Sequence, residues 1–198
     1  MLKRRWLLFF LGLGLLSFKV LAGVSSPHAR ASEPPSRQII LAPYVPTPQD
    51  VVERMLKLAE VKAGDTVYDI GCGDGRIVIT AAKEYGAHAV GIDIDPQRIR
   101  ESKANAKKAG VEELVQFIQQ DATTADYSKA TVVTLYLLPL SNTRLRPILT
   151  KQLKPGARIV SHMFDMDDWE PLKVDQFKDR SGRDRTLYLW KADGKIRN

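Results

Sequence analysis

Thr66-Val-Tyr-Asp-Ile-Gly-Cys-Gly-Asp-Gly-Arg-Ile-Val-Ile-Thr-Ala-Ala82 decides the fold. A short β-type run ends in Asp69, glycines follow at alternate positions (Gly71, Gly73, Gly75), and an apolar helical stretch begins at once. Strand, tight turn without Cβ atoms and helix N-terminus are how a parallel sheet builds a nucleotide cradle. A dinucleotide fold places its third glycine three residues after the second, so that a pyrophosphate rests on the helix dipole. Here the interval is two, and Asp69 precedes the loop where a diphosphate would be repelled. This spacing disfavours a nicotinamide-dependent oxidoreductase and favours a ligand with a cationic centre and no phosphate. S-adenosylmethionine is such a ligand.

Outward from this stretch, helical and strand patterns alternate, the signature of an α/β sheet. The periodicity predicts a helix over Gln49 to Leu58, with Thr47 as N-cap and Pro48 at the first helical position. Strands are expected at Thr66–Ile70, His88–Asp93, Val115–Gln119, Thr131–Leu137 and Arg158–Ser161. Helices are expected at Arg76–Tyr85, Pro96–Ala109 and Asn142–Leu153. Leu172–Phe177 and Thr186–Trp190 flank a polar turn at Ser181-Gly182 and read as a closing hairpin. The expectation is α/β: a Rossmann-like class I methyltransferase architecture, with a seven-stranded, mostly parallel sheet and helices on both faces.

Bulk properties narrow the partners. The chain has 198 residues, 44% hydrophobic and 27% charged, and a net charge of +7. Residues 1–37 hold six basic residues and one acid, leaving 24 basic and 22 acidic residues for the rest. The basicity therefore belongs mostly to the leader, and no nucleic-acid partner is expected. Cys72 is the single cysteine, which excludes an intramolecular disulfide and a Cys-rich zinc site.

Met-Leu-Lys-Arg-Arg5 precedes an uncharged run from Trp6 to Phe18, and Val20-Leu21-Ala22 offers a cleavage pattern. Residues 1–22 read as a signal peptide or membrane anchor. The expected location is membrane-associated through this segment; export and an organelle are the alternatives. Residues 23–46 are rich in Pro, Ser and Ala and read as a linker. Residues 47–192 form the expected catalytic domain and 193–198 a polar tail. A monomer is expected.

In this architecture the strand ends assign the candidate cofactor residues. Asp69 would help hold the amino-acid end of S-adenosylmethionine; the alternative is an Asp that caps the glycine turn. Asp93 lies 18 residues after Gly75 at a strand end and suits the ribose hydroxyls. Asp95, before Pro96, reads as a helix N-cap. Asp121 would reach the adenine amino group, with Ile94 and Ala122 sandwiching the ring. The fourth strand ends where the transferred methyl is expected, and Tyr136 and Pro139 there read as lining of the acceptor channel; the alternative is a core strand ending in a turn. That strand lacks the Asn/Asp-Pro-Pro-aromatic run of enzymes that methylate base amino groups. Asp165, Asp167 and Asp168, after His162, read as a solvated face or a guide for a cationic lysine. No metal site is expected.

These residues carry a resemblance. The chain is similar to the class I S-adenosylmethionine-dependent methyltransferases. More narrowly it resembles the lysine N-methyltransferases that modify the ATP synthase c-ring protein and the adenine nucleotide translocase, with their bacterial relatives. The likeness runs from Tyr44 to Trp190. Its motifs are Tyr44-Val-Pro-Thr-Pro48, Tyr68-Asp-Ile-Gly-Cys-Gly-Asp-Gly-Arg-Ile-Val78, Leu138-Pro139, and Gly156-Ala-Arg-Ile-Val160 leading to Phe164 and Trp169-Glu-Pro171. Asp93 departs from the Glu expected in eukaryotic members. The resemblance implies methyl transfer to a lysine of a membrane-embedded protein, with Tyr136 or Tyr44 orienting the amine. A small-molecule methyltransferase and a non-catalytic cofactor-binding module are the competing readings.

Overall fold

The computed structural model describes residues 41–197. The elements run α1 (Gln49–Leu58), β1 (Thr66–Ile70), α2 (Arg76–Tyr85), β2 (His88–Asp93), α3 (Pro96–Ala109), β3 (Val115–Gln119), β4 (Val132–Leu135), α4 (Pro139–Gln152), β5 (Arg158–His162), β6 (Lys173–Lys178) and β7 (Asp184–Lys191). They form one seven-stranded sheet in the order β3-β2-β1-β4-β5-β7-β6. β1 to β5 pair in parallel, and β7 pairs antiparallel with both β5 and β6. The expected seven-stranded sheet with an antiparallel closing hairpin is therefore present.

The pleat sends alternate side chains to opposite faces. Val67 and Val132 share a cluster with Val51 and Met55 of α1, Val78 and Ala81 of α2, and Ile99 and Ala106 of α3. Tyr68, Ile70, Val133 and Leu135 pack with α4 through Leu145 and Leu149. Both faces are covered, which is why β1 and β4 read as continuous apolar runs. Strand order reverses at β1, between β2 and β4, so the crevice for a ligand opens at the C-terminal ends of β1 and β4.

Three of the differences from the sequence reading bear on the site. The N-cap of α1 is Pro48 (φ −56°, ψ 147°), not Thr47. Its carbonyl accepts the first helical bond from Val52, while that of Thr47 is turned to the Arg76 guanidinium. β4 ends at Leu135, because its last partner on β1 is Ile70; beyond that point β1 has become the glycine loop. Tyr136 and Leu137 are thereby released from the sheet. α4 starts at Pro139 rather than Asn142, with proline at the first turn, where its missing N–H is no loss. The expected leader, which falls at residues 1–22, lies outside the described residues. Among the described residues no helix is long and apolar enough to cross a membrane.

Candidate active site

The glycine loop is shaped by close approaches. Gly71 and Cys72 both donate to the Ile92 carbonyl, at 2.8 and 3.0 Å, so the turn is pinned to β2. Gly73 has φ +54°, and a Cβ there would overlap the Tyr44 ring, approaching its Cδ2 at 2.9 Å. Gly71 has φ +75°, and a Cβ there would meet Leu137 Cδ2 at 3.0 Å. Both positions require glycine for conformation and for space.

Asp69 is 3% exposed and stands opposite Thr134 in the β1–β4 register. Its Oδ1 accepts a 2.7 Å hydrogen bond from the Thr134 hydroxyl. Burial raises its pKa to about 7; the Thr134 bond opposes the rise, and the Asp93 and Asp74 charges add to it. A buried carboxyl so poised gains most from a cation.

Asp93 bridges loop and helix: Oδ2 accepts from the Gly73 amide and Oδ1 from the Asp95 amide, both at 2.9 Å. Asp95 caps α3 through a 2.7 Å bond from the Gln97 amide. Burial alone would raise the Asp74 carboxyl, but hydrogen bonds and charge from Arg76 hold it below the usual range. Arg76 reaches on to the Thr47 carbonyl at 2.8 Å.

These groups surround a cavity of about 350 Å³. Asp69, Gly71, Gly73 and Asp93 form its floor side, and Ile94 and Ala122 supply apolar wall. Tyr136 and Leu137 close the β4 end, and the segment from Leu41 to Thr47 straps the opening. Two bonds tie that strap down: Ser141 Oγ to the Leu41 carbonyl at 2.5 Å, and Arg76 to Thr47. Between them the Tyr44 ring lies on Gly73, with the Arg98 guanidinium 4.4 Å from its centroid.

Two sequence candidates lie outside the cavity wall. Gly75 begins α2, and a Cβ there would collide with Phe117 and Ser102 at 2.8 Å, so its role is packing against β3 and α3. Asp121 caps the 3-10 turn at Ala122–Thr124, its Oδ1 accepting from the Thr123 amide and hydroxyl at 2.8 and 2.7 Å. Its neighbours Gln120 and Ala122 line the cavity instead.

Three features escaped the sequence reading. Thr134 is a mid-strand threonine whose pairing with Asp69 depends on β4 adding beside β1 after a crossover. Leu41 and Ala42, in the expected linker, are part of the cavity wall. His162 is fully buried against the Tyr136 ring, 4.1 Å between centroids. Asp165, Asp167 and Asp168 of the acidic loop are all exposed, and Asp168 pairs with the Arg146 guanidinium. Among the described residues no group of three or more His, Cys, Asp or Glu side chains could hold a metal ion.

The site fits S-adenosylmethionine. It has a Cβ-free glycine turn on which Tyr44 and Leu137 close in, a buried carboxyl whose ionised form a cation would favour, and a second carboxylate at the next strand end. Comparison with known proteins agrees. Residues 69–173 match the ANTKMT methyltransferase domain. The chain is 48% identical over 149 residues to a protein-lysine N-methyltransferase of Saccharolobus islandicus (strain REY15A), covering 75% of this chain and 92% of the relative. It is 32% identical over 169 residues to the Xenopus laevis lysine N-methyltransferase named for the c-ring protein of ATP synthase, covering 85% and 72%. An RNA methyltransferase of Salinibacter ruber, solved in complex with S-adenosyl-L-homocysteine, superposes with a TM-score of 0.72 at 52% identity, covering 78% of this chain and 97% of the other. The chain belongs to the ANTKMT methyltransferase family and is an S-adenosylmethionine-dependent methyltransferase.

Proposed function

We infer that this enzyme N-methylates a lysine of a membrane-associated protein. The observation that carries the reading is the cavity mouth. Tyr44 and Val45, both in the cavity lining, are exposed apolar side chains; Leu138 and Leu140, which follow Tyr136 in the chain, are exposed as well. Such a rim suits the apolar flank of a protein segment better than a polyanion. The names of the Saccharolobus and Xenopus relatives favour a lysine acceptor.

When bound, the cofactor supplies an electrophilic methyl group. The residues of the chain hold and align the reactants. Asp69 would hold the ammonium of the cofactor's amino-acid end, and Asp93 the ribose hydroxyls. Ile94 and Ala122, both in the cavity lining, would flank the adenine. A lysine of ordinary pKa, near 10.4, must arrive neutral. An apolar mouth and a neighbouring cationic ligand both favour loss of its proton. Alignment by Tyr136, with Tyr44 at the opening, then supplies the catalysis, and no dedicated base is needed. The uncharged segment Trp6 to Phe18 would keep the monomeric enzyme at the membrane that holds its substrate.

The test is incubation of the full chain, in detergent, with methyl-tritiated S-adenosylmethionine and host membrane, RNA and small-molecule fractions. Asp69→Ala is the control. Label in a membrane protein, absent with the variant, supports the reading. Label in RNA, the acceptor class in the Salinibacter enzyme's name, or only in small molecules overturns it.

A further inference from the structure

The proposed alignment by Tyr136 needs that side chain to be fixed, yet Tyr136 has left the sheet at the end of β4. What holds it is His162, the last residue of β5. The two rings are 4.1 Å apart with 36° between their planes. His162 is 0% exposed, and among the described residues neither Nδ1 nor Nε2 has a hydrogen-bond partner. A buried imidazole that spends neither nitrogen contributes through its ring, by contact.

We propose that His162 is a positioning residue whose ring packs, tilted, behind Tyr136 and fixes it at the transfer end of the cavity, as a wall without charge for an amine acceptor. The acceptor class rests on the reading given under Proposed function; the packing role does not. Backbone pairing explains why the ring cannot drift: His162 is in register with Leu187 of β7, and β5 is held on its other side by β4. Its surroundings keep the imidazole neutral. Burial and, to a lesser extent, the Arg185 charge lower its pKa to about 4, against the opposing Asp179 charge. Arg185 is itself paired with the Asp179 carboxylate at 2.7 Å. An imidazolium directly behind Tyr136 would repel a cationic cofactor and an arriving ammonium alike.

Three variants of the full-length enzyme separate the ring from the nitrogens. His162→Phe keeps a ring, His162→Asn keeps polarity without a ring, and His162→Ala keeps neither. Turnover is scored as total acid-stable methyl transfer, whatever fraction accepts it. A product other than lysine would thus overturn the acceptor reading and still leave the ring comparison decided. The expected result is turnover within about threefold of wild type for the Phe variant. Asn and Ala should lose about tenfold or more, with the dissociation constant for S-adenosylmethionine unchanged. The Ala loss should vanish in a Tyr136→Ala background, because His162 acts through that ring. Should Asn retain turnover while Phe loses it, the nitrogens matter and the proposal fails. Equal loss of cofactor binding and turnover in Ala and Asn, or additive losses with Tyr136→Ala, would mark a merely structural histidine and overturn it as well.

Discussion

The Asp69 carboxylate accepts a 2.7 Å hydrogen bond from the Thr134 hydroxyl, its neighbour across the β1–β4 register. Two strands separated by 65 residues of chain thus meet at the switch point to hold one buried acid. Thr134 is the hydrogen bond that opposes the rise in the Asp69 pKa. Thr134→Val keeps the shape of the core and removes that donor. It should weaken S-adenosylmethionine binding about tenfold at neutral pH, the cost of leaving a buried acceptor unpaired. Isothermal calorimetry measures this directly.

The pKa of Asp69, about 7, makes two further outcomes testable. A cationic ligand selects the ionised carboxylate, so cofactor affinity should fall as pH drops below 7, by up to about tenfold per unit. For the empty protein the sign is opposite. The folded pKa lies above the unfolded value of 3.8, so the folded state binds the proton more tightly. Its contribution to stability is fully present below pH 3.8 and is lost as pH rises through about 7, up to roughly 4 kcal/mol. Urea denaturation of the empty enzyme against Asp69→Asn, from about pH 5 to 8, should show wild type losing ground to the variant. A constant difference would assign Asp69 an ordinary pKa.

Gly73→Ala meets two obstacles. Its φ of +54° costs an L-residue about 1–2 kcal/mol, and its Cβ would overlap the Tyr44 ring. The variant should lose cofactor binding and denature earlier. Adding Tyr44→Ala should restore part of the stability, because the overlap is relieved while the backbone strain stays. No restoration would mean that the strap does not rest on the loop.

Tyr136→Phe keeps the ring that lies on His162 and removes the hydroxyl proposed to orient the amine. Turnover should fall about tenfold with cofactor affinity unchanged, a loss borne by alignment alone. Steady-state kinetics beside calorimetry distinguishes this from a binding defect. An unchanged rate would remove the Tyr136 hydroxyl from the transfer step.

The sheet was legible in the sequence because its parallel strands are buried on both faces and stand out as apolar runs between helical periods. Asp69, Gly71, Gly73 and Asp93 were legible as a set because one strand–loop–helix unit and the following strand end bring them together within 25 residues. What escaped depends on neighbours distant in sequence. Thr134 matters only because β4 crosses over to lie beside β1, and His162 only because β5 then adds next to β4. Tyr136 and Leu137 look like strand residues until β1 ends and leaves them unpaired. Leu41 and Ala42 sit in a proline-rich stretch with no periodicity, and their place on the cavity is set by bonds from Ser141 and Arg76.

The most direct test of the proposed chemistry is the identity of the labelled residue. After transfer from methyl-tritiated S-adenosylmethionine, the labelled material is hydrolysed to its monomers and separated by chromatography. The expected result is radioactivity co-eluting with Nε-methylated lysine, and none from the Asp69→Ala enzyme. Radioactivity co-eluting with a methylated nucleoside, or with another amino acid, would contradict lysine as the acceptor.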